Sequence, residues 1–123
     1  MMPDGVRRVE KPWGHEIIWA HTARYVGKIL HIKAGHKLSW QYHTIKEETL
    51  YLLNGEMDFE TATETEPRHI LRMKPGDAFH VVPGRRHRMI AITDCDMLEA
   101  STPELDDVVR LSDDYGREGT STP

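Results

Sequence analysis

The segment that decides the fold runs from Gly35 to Gly55 and reads GHKLSWQYHTIKEETLYLLNG. Two glycines bound it. Between them stand Gln41, His43 and Glu48, with four residues from the histidine to the glutamate and six from the glutamate to Gly55. In an extended chain, residues two apart face the same side, so Gln41 and His43 point together. Glu48 joins them from the next strand after a tight bend. A second string, GDAFHVVPGRRH, runs from Gly76 to His87. Its Pro83-Gly84 turn fixes where the His87 imidazole is aimed as the following strand begins. One amide oxygen, two imidazoles and one carboxylate suit a single divalent ion: zinc, iron, manganese, nickel or cobalt. Glu47 is a rival for Glu48, but only Glu48 keeps the six-residue spacing to Gly55. The neutral amide of Gln41 would leave the ion more Lewis-acidic than a third imidazole would. The alternative is a metal-free barrel whose polar interior is hydrogen-bonded within itself.

Outward from these strings the chain reads as short strands punctuated by turns. Residues 16–19, 25–32, 49–53, 56–60, 70–73, 78–82, 87–92 and 97–100 are strand-like. Turn chemistry at 33–35, Asn54-Gly55, 74–77, Pro83-Gly84 and 93–94 separates them. Asn54-Gly55 between apolar runs predicts a hairpin, because both central residues of such a turn tolerate positive φ. Only 103–111 carries a helical signal. Ser101-Thr102-Pro103-Glu104 resembles a helix start, and Leu105, Val108 and Val109 share a face. That stretch is expected to be a short C-terminal helical turn, or else a loop that packs by its apolar residues. Evenly spaced short strands with Gly and Pro turns indicate an all-β sandwich or jelly-roll β-barrel, here a single domain over residues 1–123. The polar stretches at about 1–8 and 116–123 are expected to be mobile.

A chain of 123 residues suits one domain with one core. The net charge of −4 provides no basic field for nucleic acid, so no nucleic-acid partner is expected. Cys95 is the one cysteine and cannot form an internal disulfide. With no apolar leader at Met1 to Gly5 and no membrane-spanning run, a cytoplasmic protein without a membrane partner is expected.

The two glycine-bounded strings resemble the two motifs of the cupin superfamily, which implies a small jelly-roll barrel. Three positions depart from the usual pattern: Gln41 stands where His is common, Val82 where Pro is, and Ala91 where Asn is. A narrower resemblance covers most of the chain. VEKPWGHE at 9–16, LSWQYH at 38–43, PGRRHR at 83–88, and DDVVR at 106–110 through DDYGR at 113–117 are similar to mannose-6-phosphate isomerase-like cupins. These include the isomerase domain of type II phosphomannose isomerase/guanylyltransferases. The resemblance implies zinc held by Gln41, His43, Glu48 and His87, and a role in carbohydrate metabolism as an aldose–ketose isomerase of a sugar phosphate. Where the fused enzymes carry Arg-X-Glu-His-Trp, this chain has Lys46-Glu47-Glu48-Thr49-Leu50. The missing His-Trp pair favours an alternative, a non-catalytic sugar-binding or sensor cupin. Iron in the same site would open dioxygenase chemistry, and a metal-free epimerase with a His base is a third reading.

Other residues add to the site. Lys28 shares strand parity with Leu30 and Ile32, so it either snorkels to the rim or points into the cavity. A buried ammonium requires an anionic partner, and in the cavity that partner would be a substrate carboxylate or phosphate. The isomerase domains carry a lysine at the same place. Arg85, Arg86 and Arg88 bracket His87 at the barrel mouth and together suit an anionic substrate, although for each alone a solvated turn residue is the favoured reading. Glu99 alternates with Met97 and Ser101. Facing inward it would serve as a general base with its pKa raised by burial; facing outward it is an ordinary strand carboxylate. His80 is a further histidine placed to reach the cavity or a subunit interface, unless a core carbonyl satisfies it. Trp40 and Tyr42 alternate with Gln41 and His43 and must face away from the ion. Covering them takes the N-terminal segment or a second subunit, and a homodimer is expected.

Overall fold

The computed structural model describes residues 5–117 and 119–121. Every regular element among them is a β-strand. In chain order these are β1 (Arg7–Lys11), β2 (Gly14–His21), β3 (Val26–Ile32), β4 (Trp40–Tyr42), β5 (Glu48–Asn54) and β6 (Met57–Ala62). They continue with β7 (His69–Met73), β8 (Ala78–Val81), β9 (Arg86–Ala91), β10 (Cys95–Ser101), β11 (Val108–Ser112) and β12 (Gly119–Ser121). Two six-stranded antiparallel sheets result, ordered β1-β2-β3-β10-β5-β8 and β12-β11-β4-β9-β6-β7. Their inner faces close on each other as a jelly roll.

Alternation along each strand builds the interior. Leu30 and Ile32 of β3, Leu50 and Leu52 of β5, Met57 and Phe59 of β6, Met89 and Ala91 of β9, and Cys95 and Met97 of β10 all belong to one buried cluster. Burying each large side chain of this set stabilises the fold by about 1.5–3 kcal/mol. At one end of the barrel the same inward rows turn polar. Lys28 precedes Leu30, Glu48 precedes Leu50, His87 precedes Met89, and Glu99 follows Met97, all of them buried. Cross-strand register gathers them: Glu99 opposes Lys28, Ser101 opposes Glu48, and His87 opposes both Thr61 and Gln41. The apolar end holds the barrel together, and the polar end is the candidate site.

Two expectations about local structure are corrected. Asn54-Gly55 does not close a hairpin, because β5 and β6 lie in different sheets. Asn54 instead uses its side chain on β10, where its Nδ2 donates to Asp96 Oδ2 at 3.0 Å and its Oδ1 accepts from the Asp96 amide at 3.1 Å. Gly55 has φ of 89°, and a Cβ there would collide with the Asp94 carbonyl and lie 2.7 Å from Cys95 Sγ. The position needs glycine for a crossover between sheets, where backbone and sulfur approach too closely for a side chain. No helix occurs among the described residues, and 103–107 is irregular before β11 begins. Pairing of β11 with β4 takes the backbone groups a helix would have used.

Within the terminal stretches, residues 1–4, 118, 122 and 123 lie outside the described residues. Arg7 and Arg8 pair with Ile18 and Ile17, and β12 pairs with β11. The outward aromatics of β4 are covered by arginines of the same chain. The Arg68 guanidinium carbon lies 4.0 Å from the centre of the Trp40 ring, and that of Arg86 lies 4.4 Å from the centre of the Tyr42 ring. Among the described residues no helix is long and apolar enough to cross a membrane.

Candidate metal centre

The bend between β4 and β5 is held by one carboxylate. Asp107 accepts hydrogen bonds from the amides of Thr44, Ile45 and Lys46 at 3.1, 2.6 and 2.8 Å, and from the Thr44 hydroxyl at 2.7 Å. Burial pushes the Asp107 carboxyl up, but these donors together outweigh it and hold it well below the usual carboxylate range. The clamp lets His43, Lys46 and Glu48 all turn inward, and all three are buried. The two sequence strings are tied directly, since the Gly84 amide donates to the His43 carbonyl at 2.7 Å. Gly84, with φ of 88°, makes the turn that carries the chain into β9 and His87.

One potential ligand atom from each of His43, Glu48 and His87 lies within 4.8 Å of the other two. The Nε2 atoms of His43 and His87 stand 3.6 and 3.4 Å from Glu48 Oε1. His43 Nδ1 is 2.5 Å from the Asp107 carbonyl, and His87 Nδ1 is 3.2 Å from the Arg85 carbonyl. A carbonyl only accepts, so each Nδ1 carries a proton and each ring turns its Nε2 toward the carboxylate. Both Nε2 atoms are buried without a hydrogen-bond partner. Two imidazole nitrogens converging on one carboxylate oxygen make the donor set of a cation site, and backbone-anchored imidazoles are how proteins orient metal-binding histidines. These residues fit a divalent ion. Gln41 lines the same cavity beside His87, and its Oε1 accepts from the Ser39 hydroxyl at 2.5 Å, leaving a second lone pair.

Buried charges surround the cluster. Lys46 Nζ lies 3.1 Å from Glu48 Oε2 and 3.0 Å from Glu99 Oε2. Burial alone would lower the Lys46 ammonium, but the two carboxylates outweigh it and hold it above its ordinary value. Burial likewise pushes Glu48 up, and Lys46 together with the two imidazoles reverses this, holding the carboxyl well below its usual range. Glu48 is therefore ionised, as a metal ligand must be. On the facing wall Lys28 Nζ is 3.2 Å from Glu16 Oε2, with Lys11 Nζ 3.8 Å from Glu16 Oε1. Arg110, also buried, lines the cavity beside Gln41. The enclosed volume is about 50 Å³. That is room for roughly three to five waters, or for the reacting end of a small ligand.

The structure brings Gln41, His43, Glu48, Lys28 and Glu99 to one cavity, and His87 to its metal cluster. It does not bring the arginines or His80 there. Because His87 faces inward on β9, period-two alternation turns Arg86 and Arg88 the other way. Arg86 stacks on Tyr42, while Arg88 donates to the carbonyls of Leu38 and Ser112 at 2.9 and 3.3 Å. Arg85 donates to Thr61 Oγ1 and Glu66 at 3.1 and 3.2 Å. His80 is exposed, its Nε2 2.5 Å from the exposed Glu47 carboxylate. Four residues that matter escaped the sequence reading: Lys11, Glu16, Lys46 and Arg110. Lys46 had a usable signal, since it sits two residues before Glu48 and so shares its side. Arg110 had none, because its strand was taken for a helical turn.

Comparison with known proteins agrees with this architecture. The sequence profile of the cupin domain matches residues 28–100. No curated protein sequence matches the chain. Among solved structures, oxalate decarboxylase from Bacillus subtilis at pH 4.6 is similar, with a TM-score of 0.77 and 14% identity over 87% of this chain. This chain spans only 30% of that one. A further structure of the same enzyme, concerned with its Mn(II) centres, gives a TM-score of 0.74 at 14% identity, covering 87% of this chain and 30% of that one. KdgF from Halomonas sp. gives 0.66 at 23% identity, covering 80% of this chain and 87% of its own.

Proposed function

This chain belongs to the cupin family, and from that premise we propose that it is a metal-dependent enzyme acting on a small anionic substrate. One observation carries the reading: the Nε2 atoms of His43 and His87 are both buried, both without a hydrogen-bond partner, and both aimed at Glu48. Gln41 is proposed as the fourth ligand. The resemblance to phosphomannose isomerases supports zinc, and the Mn(II) centres of oxalate decarboxylase support manganese as the second choice.

When bound, the ion would supply a Lewis acid for a substrate carbonyl or hydroxyl. Glu99 is the carboxylate placed to take a proton from one carbon and return it to its neighbour, the step that interconverts an aldose and a ketose. Lys46 holds Glu99 in place. Lys28, pinned by Glu16, contributes positive charge to the wall. The finer reading is isomerisation of a sugar phosphate resembling mannose 6-phosphate, supported by the sequence similarity and the cationic lining. The interior volume suits only the reacting end of such a molecule, so the rest would project from the mouth. The missing His-Trp pair does not weigh against this. Thr49 is exposed and Leu50 belongs to the apolar core, so neither position lines the cavity. A cytoplasmic setting is supported by the lone Cys95, and a homodimer by exposed Trp19, Tyr25 and Ile45.

Elemental analysis followed by a coupled assay with mannose 6-phosphate tests the proposal. Bound metal is expected, with turnover abolished by a chelator and by Glu99→Gln. Bound metal without turnover of any hexose phosphate would overturn the isomerase reading, and absence of bound metal would overturn the metal enzyme.

A further inference from the structure

Arg110 is the charged side chain of the cavity that makes no salt bridge among the described residues. It lies on β11 with Val108 on the inward face, and both are buried. Its Nε and Nη1 are buried with no hydrogen-bond partner. The carboxylates nearby are already engaged. Both oxygens of Asp113 are held by the Arg117 side chain, at 3.1 and 3.0 Å. Glu16 is held by Lys28 at 3.2 Å and faces Lys11 at 3.8 Å. Burial, and then the like charge of Arg117, push the Arg110 guanidinium down from its ordinary value, against a weaker pull from the Asp113 and Glu16 carboxylates. An unpaired buried guanidinium is costly, and β11 does not need it, since the strand is already paired through its backbone to β4 and β12. The other cations of the cavity are spoken for, Lys46 by Glu48 and Glu99, and Lys28 by Glu16.

We propose that Arg110 is the anion-binding residue of the cavity, taking the carboxylate or phosphate oxygens of the substrate. Arg110 opposes Gln41 in register across β11 and β4. Directly opposed residues lie about 4.5–5.5 Å apart at Cα. The bound oxyanion therefore sits beside the His43–Glu48–His87 cluster, and the ligand carries its anionic group next to a second oxygen that faces the cluster. Only this second contact rests on the metal reading; the anion site itself does not.

The test titrates inorganic phosphate and glycolate calorimetrically into wild type and Arg110→Gln, each metal-loaded and chelated, with metal content and melting temperature recorded. At least one anion is expected to bind wild type, and Arg110→Gln is expected to weaken it about ten- to hundredfold with unchanged metal content. Whichever anion binds more tightly assigns the group as phosphate or carboxylate. Without anion, Arg110→Gln is expected to melt higher than wild type, because an uncompensated buried charge has gone. A residue that merely braced the strand would give the opposite shift. Equal affinity in the two proteins, no binding of either anion by wild type, or a lower melting temperature for the anion-free variant would overturn the proposal. If Arg110→Gln does not fold, Arg110→Lys replaces it, and affinity unchanged from wild type overturns the proposal as well. Failure of the metal reading shows separately, as no bound ion while the chelated protein still binds anion through Arg110.

Discussion

The Nε2 atom of His87 lies 3.4 Å from Oε1 of Glu48, with both groups buried. The imidazole directs its Nδ1 to the Arg85 carbonyl, and its Nε2 has no hydrogen-bond partner among the described residues. A cation entering between His87 and Glu48 would be held by both groups, so the folded chain is arranged for the bound state.

Lys46 is the internal counter-charge that keeps this arrangement stable in the absence of metal. Lys46→Met retains the length of the side chain but leaves Glu48 and Glu99 facing each other in a dry interior. Removing one partner from a buried ion pair costs about 3–5 kcal/mol. Urea unfolding of the chelated variant is expected to show a loss in that range, recovered in part when metal is added, because the ion neutralises Glu48. An equal loss with and without metal would detach Lys46 from the metal site.

Asp107 makes stability depend on pH in a defined direction. Its folded carboxyl is held below its unfolded value of about 3.9, so the stability it contributes is present above that pH and is lost as pH falls toward the folded value. Asp107→Asn is expected to be less stable than wild type at pH 7. The gap between the two should narrow below about pH 4. Urea unfolding at several pH values measures the gap, and one that is constant across the range would show that the carboxylate charge is not what holds the Thr44–Lys46 bend.

Gly55→Ala tests the crossover between the sheets. The substitution adds both a positive-φ strain of about 1–3 kcal/mol and a clash with Asp94 and Cys95. Thermal unfolding is expected to shift down, while Gly35→Ala, whose Cβ would meet no atom within 4 Å, should cost less despite a similar φ of 81°. Equal shifts would mean that backbone conformation alone sets the cost.

Much of this was legible in the sequence, for reasons that show in particular residues. Alternation placed Lys28 with Leu30 and Ile32, and Glu99 with Met97, and all five face the barrel interior. The spacing of Gln41, His43 and Glu48 brought them to one cavity, with His87 added from the second string. Errors arose where a local signal had a non-local competitor. Asn54-Gly55 has the chemistry of a hairpin turn, yet the strands it joins find better partners in opposite sheets. Residues 103–111 have a helical apolar pattern, yet an unpaired β4 edge draws Val108–Ser112 into a strand. The arginines beside His87 follow from the same alternation that aims His87 inward, applied with the opposite sign. Arg110 becomes visible only when the charges are paired off in three dimensions, whereas the spacing of Lys46 from Glu48 already carried a signal.

The most direct test is anomalous diffraction from crystals of metal-replete protein, with data collected at the edge of the ion identified by elemental analysis. The account predicts a single peak bonded by His43 Nε2, His87 Nε2 and a Glu48 carboxylate oxygen, lost in His87→Ala. Metal-replete crystals with no peak there, or a peak that persists in His87→Ala, would contradict it.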